Sequence, residues 1–405
     1  MKLFECGTFI DGTGNDPIND ARLLVEDSRV VAAGPTEEID EPNGDVQHVD
    51  YRDKTVLPGL IDAHLHLQGK RSMSHSFDPI YYRDALAAAR ATADCKALLE
   101  AGFTTVRDLG STTGLGLRDA IATGEIPGPR VYTSGRGLSQ TAGHGDVHEF
   151  PYSWVSQDRG PTVLVDGVAE CRRETRKKVR EGSDCLKIST TGGIFSANDN
   201  PHQQQFTDAE IRAMVEEAHR AGLVVASHAQ GTAGIIAALE AGVDTIEHAI
   251  FLDEDAIDLL CETDATIVPT LSIMDRIVTA GSDHDLHPHL VRMADSMFDS
   301  HMTSIKRAYE AGVPIAAGTD YLGSALLPHG ENAHELFLLV DRIGMSEQEA
   351  ITAATGGGSR TIPDDDVGHL ADGARADLVV ADDPLSDIRT LDDPVAVYKG
   401  GKRVV

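Results

Sequence analysis

One pattern recurs through the middle of this chain: a helical stretch ends in Ala-Gly, and an apolar run begins at once. It occurs at Ala101-Gly102, Ala221-Gly222, Ala241-Gly242 and Ala311-Gly312. A Gly just past the last helical residue supplies the left-handed cap. The runs that follow are Phe103-Thr104-Thr105-Val106, Leu223-Val224-Val225-Ala226, Val243-Asp244-Thr245-Ile246 and Val313-Pro314-Ile315-Ala316. They read as short buried strands. One helix is legible in detail. Thr207 and Glu210 have capping-box spacing, and Ile211, Met214, Val215 and Ala218 then fall on one face. Helices alternating with buried strands over about 300 residues imply a parallel α/β fold, most simply a (β/α)8 (TIM) barrel. Its strands are expected near 57–64, 103–108, 130–134, 184–190, 223–228, 243–248, 265–270 and 313–320.

The two ends read differently. Residues 1–55 carry short β-type runs such as Arg22-Leu23-Leu24-Val25 and Arg29-Val30-Val31-Ala32. Residues 363–405 carry Ala376-Asp377-Leu378-Val379-Val380 and Val395-Ala396-Val397-Tyr398. Neither end has enough strands for a stable sheet alone. Together they are expected to form one small β-sandwich domain beside a barrel of residues 56–362, with the acidic stretch Pro363 to Asp366 as the return crossing.

Composition narrows the function. The 405 residues carry 35 Lys+Arg against 65 Asp+Glu, a formal charge of -30, which would repel a phosphate backbone and excludes a general nucleic-acid binder. No run of about 18 apolar residues suggests a membrane span. The stretch Met1-Lys2-Leu3-Phe4-Glu5 lacks a signal-peptide apolar region. Cys6, Cys95, Cys171, Cys185 and Cys261 form no CxxC pair, so neither a disulfide framework nor a Cys-type zinc site is expected. A cytoplasmic, homo-oligomeric enzyme acting on a small molecule or short peptide is the expectation. The acidity is mostly aspartate, 42 Asp to 23 Glu, and the basic residues are 25 Arg to 10 Lys. Asp-rich, Lys-poor surfaces suit high salt, where dense ions screen self-repulsion, so a halophilic protein is expected.

The strongest chemical signal is Asp62-Ala63-His64-Leu65-His66, which follows the apolar run Val56-Leu57-Pro58-Gly59-Leu60-Ile61. Residues i and i+2 of a strand share a face, so His64 and His66 can ligate one metal from one strand end. Alone, a His-x-His pair is weak. His228 ends a second strand, His248 a third, and Asp320 a fourth, while Lys187 lies in the apolar run Cys185-Leu186-Lys187-Ile188. In a (β/α)8 barrel the C-terminal strand ends converge on one mouth, so these residues point to a metal site. A charged Lys inside a barrel is costly, and burial favours the neutral amine. Such an amine beside metal ions can add carbon dioxide and become a bridging anionic carbamate; equally, Lys187 can snorkel outward or pair with an acid.

His64-Leu65-His66, Lys187, His228, His248 and Asp320 resemble the amidohydrolase superfamily in order and strand placement, over nearly the whole chain. The split β domain and the closing stretch Gly373 to Val380 belong to that likeness. Thr141-Ala142-Gly143-His144-Gly145, Gln203-Gln204-Gln205-Phe206-Thr207, Ile246-Glu247-His248, Val268-Pro269-Thr270 and Pro328-His329-Gly330 resemble its imidazolonepropionase-like and prolidase-like (Xaa-Pro dipeptidase-type) branch. The resemblance implies two divalent metal ions, zinc by expectation. One is held by His64, His66, a Lys187 carbamate and Asp320; the other by the carbamate, His228 and His248; a hydroxide bridges them. It implies Asp320 as proton acceptor, with His144 contacting the substrate carbonyl or carboxylate, and Gln230 and His329 binding substrate. The sequence departs from related peptidases in one place: they often carry an aromatic hydroxyl just after the strand-5 histidine, where this chain has His228-Ala229-Gln230-Gly231, which weakens the expectation of carboxylate recognition. The implied activity is hydrolysis of a peptide-like amide, in a dipeptide or an N-acyl amino acid. Two alternatives stand beside it: cyclic-amide hydrolysis of imidazolonepropionase type, which does not need the lysine, and a catalytically silent barrel scaffold. His219 sits mid-helix as a solvated residue, His284, His287 and His289 lie in a polar Asp-rich loop as either a lid or nothing, and Trp154, in the loop Phe150 to Arg159, is either over the mouth or simply packed.

Overall fold

The computed structural model describes residues 1–72, 83–148, 150–156, 160, 162–194, 199–284 and 286–405. Each Ala-Gly pair behaves as the sequence suggests: Gly102, Gly222, Gly242 and Gly312 all take positive φ, between +76° and +88°. The helix Asp208–Arg220 opens with the Thr207/Glu210 capping box and buries Ile211, Met214, Val215 and Ala218.

Both ends of the chain enter one sheet. β1 (Lys2–Phe9), β2 (Ile18–Glu26), β3 (Arg29–Pro35) and β4 (Gln47–Pro58) come from the start of the chain. β14 (Leu378–Ala381), β15 (Ala396–Lys399) and β16 (Lys402–Arg403) come from its end. The order is β16-β15-β14-β4-β1-β2-β3, with Val379 opposite Leu57 where the two ends meet. Phe4, Leu23, Val56, Leu378, Val380 and Tyr398 form its buried face. The ladders describe one continuous sheet; a two-layered sandwich is not resolved by them.

The middle of the chain supplies parallel strands. β5 (Leu60–Leu65), β6 (Phe103–Asp108) and β7 (Arg130–Thr133) form one sheet. β8 (Gly137–Ser139), β9 (Thr162–Leu164), β10 (Cys185–Ser189), β11 (Val224–Ala229), β12 (Thr245–His248) and β13 (Thr266–Val268) form another, in the order β13-β12-β11-β10-β8-β9. The two sheets approach where Asp184 N donates to Thr133 O at 2.9 Å.

Three expectations are corrected. The strand expected at 57–64 is broken at Gly59: Pro58 ends β4 in the terminal sheet and Leu60 begins β5. A side chain at Gly59 would collide with Thr104, so the chain changes sheets where no Cβ intrudes. The strand expected at 313–320 is not a continuous ladder. It touches its neighbours through single bridges, Ile267 to Ile315 and Leu65 to Tyr321, and through bonds such as Ala316 N to Ile267 O (2.9 Å) and Ala63 N to Ala317 O (2.9 Å). The backbone turns into the left-handed region at Asp320 (φ +58°), which ends any regular pairing. Finally, β8 and β9 are short strands that no hydrophobic run announced.

Candidate metal centre

His64 and His66 stand at the end of β5, and the chain holds each imidazole by its inner nitrogen. His64 Nδ1 bonds Glu247 Oε2 at 2.7 Å, and His66 Nδ1 bonds the Gly110 carbonyl at 3.0 Å. The Nε2 atoms are thereby turned to Asp320 Oδ1, at 3.6 Å from His64 and 3.0 Å from His66. A ligating histidine is ordinarily fixed in this way through its other ring nitrogen. One ligand atom from each of His64, His66 and Asp320 lies within 4.8 Å of the other two, a spacing that can hold a metal ion.

The remaining histidines close the ring. His248, at the end of β12, bonds Thr270 Oγ1 through Nδ1 at 2.7 Å. His228, on β11, bonds the Gly192 carbonyl through Nε2 at 3.1 Å. Their ring centroids are 4.6 Å apart, and His248 lies 5.2 Å from His64. His248 and Asp320 both hold positive φ, +74° and +58°, a conformation that costs energy without Gly and clusters at functional sites.

Electrostatics favour cation binding. Burial, reinforced by neighbouring positive groups such as Lys187, holds His64, His228 and His248 well below the ordinary histidine range, so they are neutral and can ligate. Asp320 is raised by burial, but His64 and His66 outweigh this and keep it below the usual carboxylate range. Lys187 is 7% exposed and its Nζ has no hydrogen-bond partner among the described residues. Burial brings its amine down to about 8, against the opposing pull of Glu247 and Asp320. A buried amine without a partner is expensive, and the outward-snorkelling alternative is not what the structure shows. Neutral imidazoles, an ionised carboxylate and an unpartnered amine fit a site for divalent cations.

These groups line one cavity of about 350 Å³. His144 and Gln230 line it too. The His144 ring stacks on His228 at 3.8 Å, and its amide donates to Gln205 Oε1 at 2.9 Å. Gln230 is buried, with Oε1 unpartnered among the described residues. His329 is not among the lining residues. Its Nε2 bonds the His66 carbonyl at 3.1 Å, which ties it to the ligand-bearing backbone and not to the cavity. Opposite the polar wall, Ile194, Ile250, Ile273, Met274 and Leu322 form an apolar one. Phe150 and Trp154, 4.6 Å apart, also line the cavity, which favours the mouth position for Trp154; residues 157–159 of that loop lie outside the described residues. His219 bonds Asp244 at the surface, and His284, His287 and His289 are not cavity residues.

Comparison with known proteins decides the family. The profile described as "Amidohydrolase family" matches residues 55–404. The chain belongs to the amidohydrolase family. It is a hydrolase of carbon–nitrogen bonds with the TIM-barrel-type α/β fold, in a family that generally uses divalent metals. Ochratoxinase of Aspergillus niger is 34% identical over 429 aligned positions, 99% of this chain and 86% of the relative. Its crystal structure superposes with a TM-score of 0.89 at 32% identity, covering 99% of this chain and 95% of that one. A Xaa-Pro dipeptidase with methionine bound in the active site superposes with a TM-score of 0.88 at 32% identity, covering 99% of each chain. Imidazolonepropionase of Salinispora tropica is 25% identical over 95% of this chain and 92% of its own.

Sequence reading missed the groups that orient this amidohydrolase's histidines. Glu247 joins His64 to Arg107, whose Nη2 lies 2.8 Å from Glu247 Oε1, with both side chains fully buried. Asp62 accepts from His64 N at 3.0 Å and from Thr319 Oγ1 at 2.7 Å. Both acids stand inside buried strands within two residues of a ligand, and that placement was the available signal.

Proposed function

We propose that the chain is a binuclear metal-dependent amidohydrolase that cleaves a peptide-like amide, in a dipeptide or an N-acyl amino acid. The observation that carries this reading is the unpartnered Lys187 amine lining the same cavity as His64, His66, His228, His248 and Asp320. As a carbamate, Lys187 would join two zinc ions: one also held by His64, His66 and Asp320, the other by His228 and His248. Such ions lower the pKa of water and polarise a carbonyl. The Asp320 carboxylate takes the proton of the attacking water and delivers it to the leaving amine nitrogen. His144, braced by its stack on His228, faces the substrate carbonyl or carboxylate, and Gln230 offers its amide. Ile194, Ile250, Ile273, Met274 and Leu322 receive an apolar substituent and exclude water from the reacting bond.

The reading assigns the chemistry to a closed barrel of residues 56–362, with 1–55 and 363–405 as the terminal domain. The likeness to ochratoxinase and to a Xaa-Pro dipeptidase supports an amide substrate. Cyclic-amide hydrolysis, the activity named for the imidazolonepropionase relative, leaves the lysine without a task. The test loads the protein with zinc, counts metal, and screens dipeptides and N-acyl amino acids in molar KCl. About two ions per chain and turnover of either class are expected. Near-zero metal, or turnover confined to cyclic amides, would overturn the proposal.

A further inference from the structure

Glu335 is a fully buried carboxyl outside the ligand ring. Its two oxygens accept the amides of Leu271, at 2.9 Å, and Ser272, at 2.7 Å. Those amides open the helix Leu271–Ala280, and the residue before it, Thr270, is held in the left-handed region at φ +53°. Thr270 places its Oγ1 2.7 Å from His248 Nδ1. A β-branched residue is strained at such a φ, so something must hold it there. The two Glu335 oxygens on the next two amides do this by satisfying donors the helix start leaves open.

Three residues earlier, Asn332 is also fully buried. Its Nδ2 donates to Asp62 Oδ2 at 2.7 Å and reaches Thr319 Oγ1 at 3.2 Å. Asp62 in turn accepts the His64 amide, and Thr319 precedes Asp320. One short segment therefore touches the supports of ligands from three separate strand ends.

We infer that Asn332 and Glu335 are positioning residues that set the metal-site geometry, Glu335 acting on His248 through Thr270 and Asn332 acting on His64 and Asp320 through Asp62 and Thr319. This inference rests on the metal reading of the site, not on the identity of the amide. Outer-shell partners of this kind commonly shift metal affinity 10- to 100-fold.

The test measures zinc affinity by competition with a chelating dye, and the melting temperature of the chelator-stripped protein alongside. Glu335→Gln keeps one acceptor and loses the other, and should weaken zinc binding by about tenfold or more. Thr270→Val, which removes only the hydroxyl, should weaken it similarly; Thr270→Ser should restore it. The decisive comparison is the double variant, because residues acting through one another are non-additive. Combining Glu335→Gln with Thr270→Val should add little to either alone. Should Glu335→Gln fail to fold, Thr270→Val and Asn332→Asp are each read alone, each expected to lose affinity while the stripped protein melts near wild type. Wild-type zinc affinity in folded variants, or fully additive losses, would overturn the inference while leaving amide hydrolysis standing. A wild-type chain that takes up no zinc would overturn the metal reading and this inference together.

Discussion

Replacing Lys187 by Ala removes the unpartnered amine that lines the cavity with the histidines. Lys187→Ala should lose bound zinc and most turnover, and added short-chain carboxylates should restore part of both by supplying the missing anion. Metal analysis and a rate series in acetate or propionate would check it; wild-type metal content and turnover would remove the carbamate. Asp320→Asn keeps the shape but loses the anion that His64 and His66 face. Turnover should fall about 10²- to 10⁴-fold, the range of a general base, with the fold intact by circular dichroism. The ligands were legible in the sequence because each is a polar residue at the end of an apolar run. Their partners were not. Glu247, Thr270 and the Gly110 and Gly192 carbonyls reach the histidines from other elements, Asn332 reaches Asp62 and Thr319, and no local spacing records a contact between Glu335 and Leu271. His329 misled for the same reason: its motif places it near the mouth, but only the fold shows that it faces the His66 backbone.

The glycines between elements give a graded test of how the strands are joined. Gly222 has positive φ and open space where a Cβ would stand, so Gly222→Ala should cost only the left-handed penalty, about 1 kcal/mol. Gly102 shares that backbone, but a Cβ there would lie 2.9 Å from Val379 of β14, so Gly102→Ala should cost more. Gly59→Ala should be the worst of the three, because its Cβ would lie 2.0 Å from Thr104 Oγ1 and 2.8 Å from Thr104 Cβ. Denaturant midpoints of the three variants should fall in that order; equal losses would mean the close approaches are relieved elsewhere. Period and punctuation made the helix Asp208–Arg220, four Ala-Gly helix ends and several inner strands readable. They failed at Gly59, where two sheets share one apolar run, and at 313–320, where Val313-Pro314-Ile315-Ala316 looks like a strand but the backbone turns left-handed at Asp320, which faces His64 and His66. β8 and β9 are too short to carry a period at all.

Charge acts on the whole molecule. At -30, the folded chain stores repulsion that dilute buffer leaves unscreened: the Debye length is about 30 Å at 0.01 M ions and about 3 Å at 1 M. Molar salt should raise melting temperature and activity together, and chloride should help nearly as much as sulfate, since salting-out of apolar surface favours sulfate alone. A melting temperature flat from about 0.1 to 3 M KCl would mark the acidity as incidental. The terminal sheet sets a different condition, one of timing. β4 lies between β1 and β14, and β14 begins at Leu378, some 320 residues after β4 ends at Pro58. At ribosomal rates of about 5–20 residues per second, that edge of β4 waits tens of seconds for its partner. During that interval a row of backbone donors and acceptors stands open beside Val56 and Leu57, the kind of edge on which chains pair wrongly. The sheet begun at the start of the chain is thus completed only after its end is made, so a chain cut short before Leu378 keeps that edge of β4 unpaired.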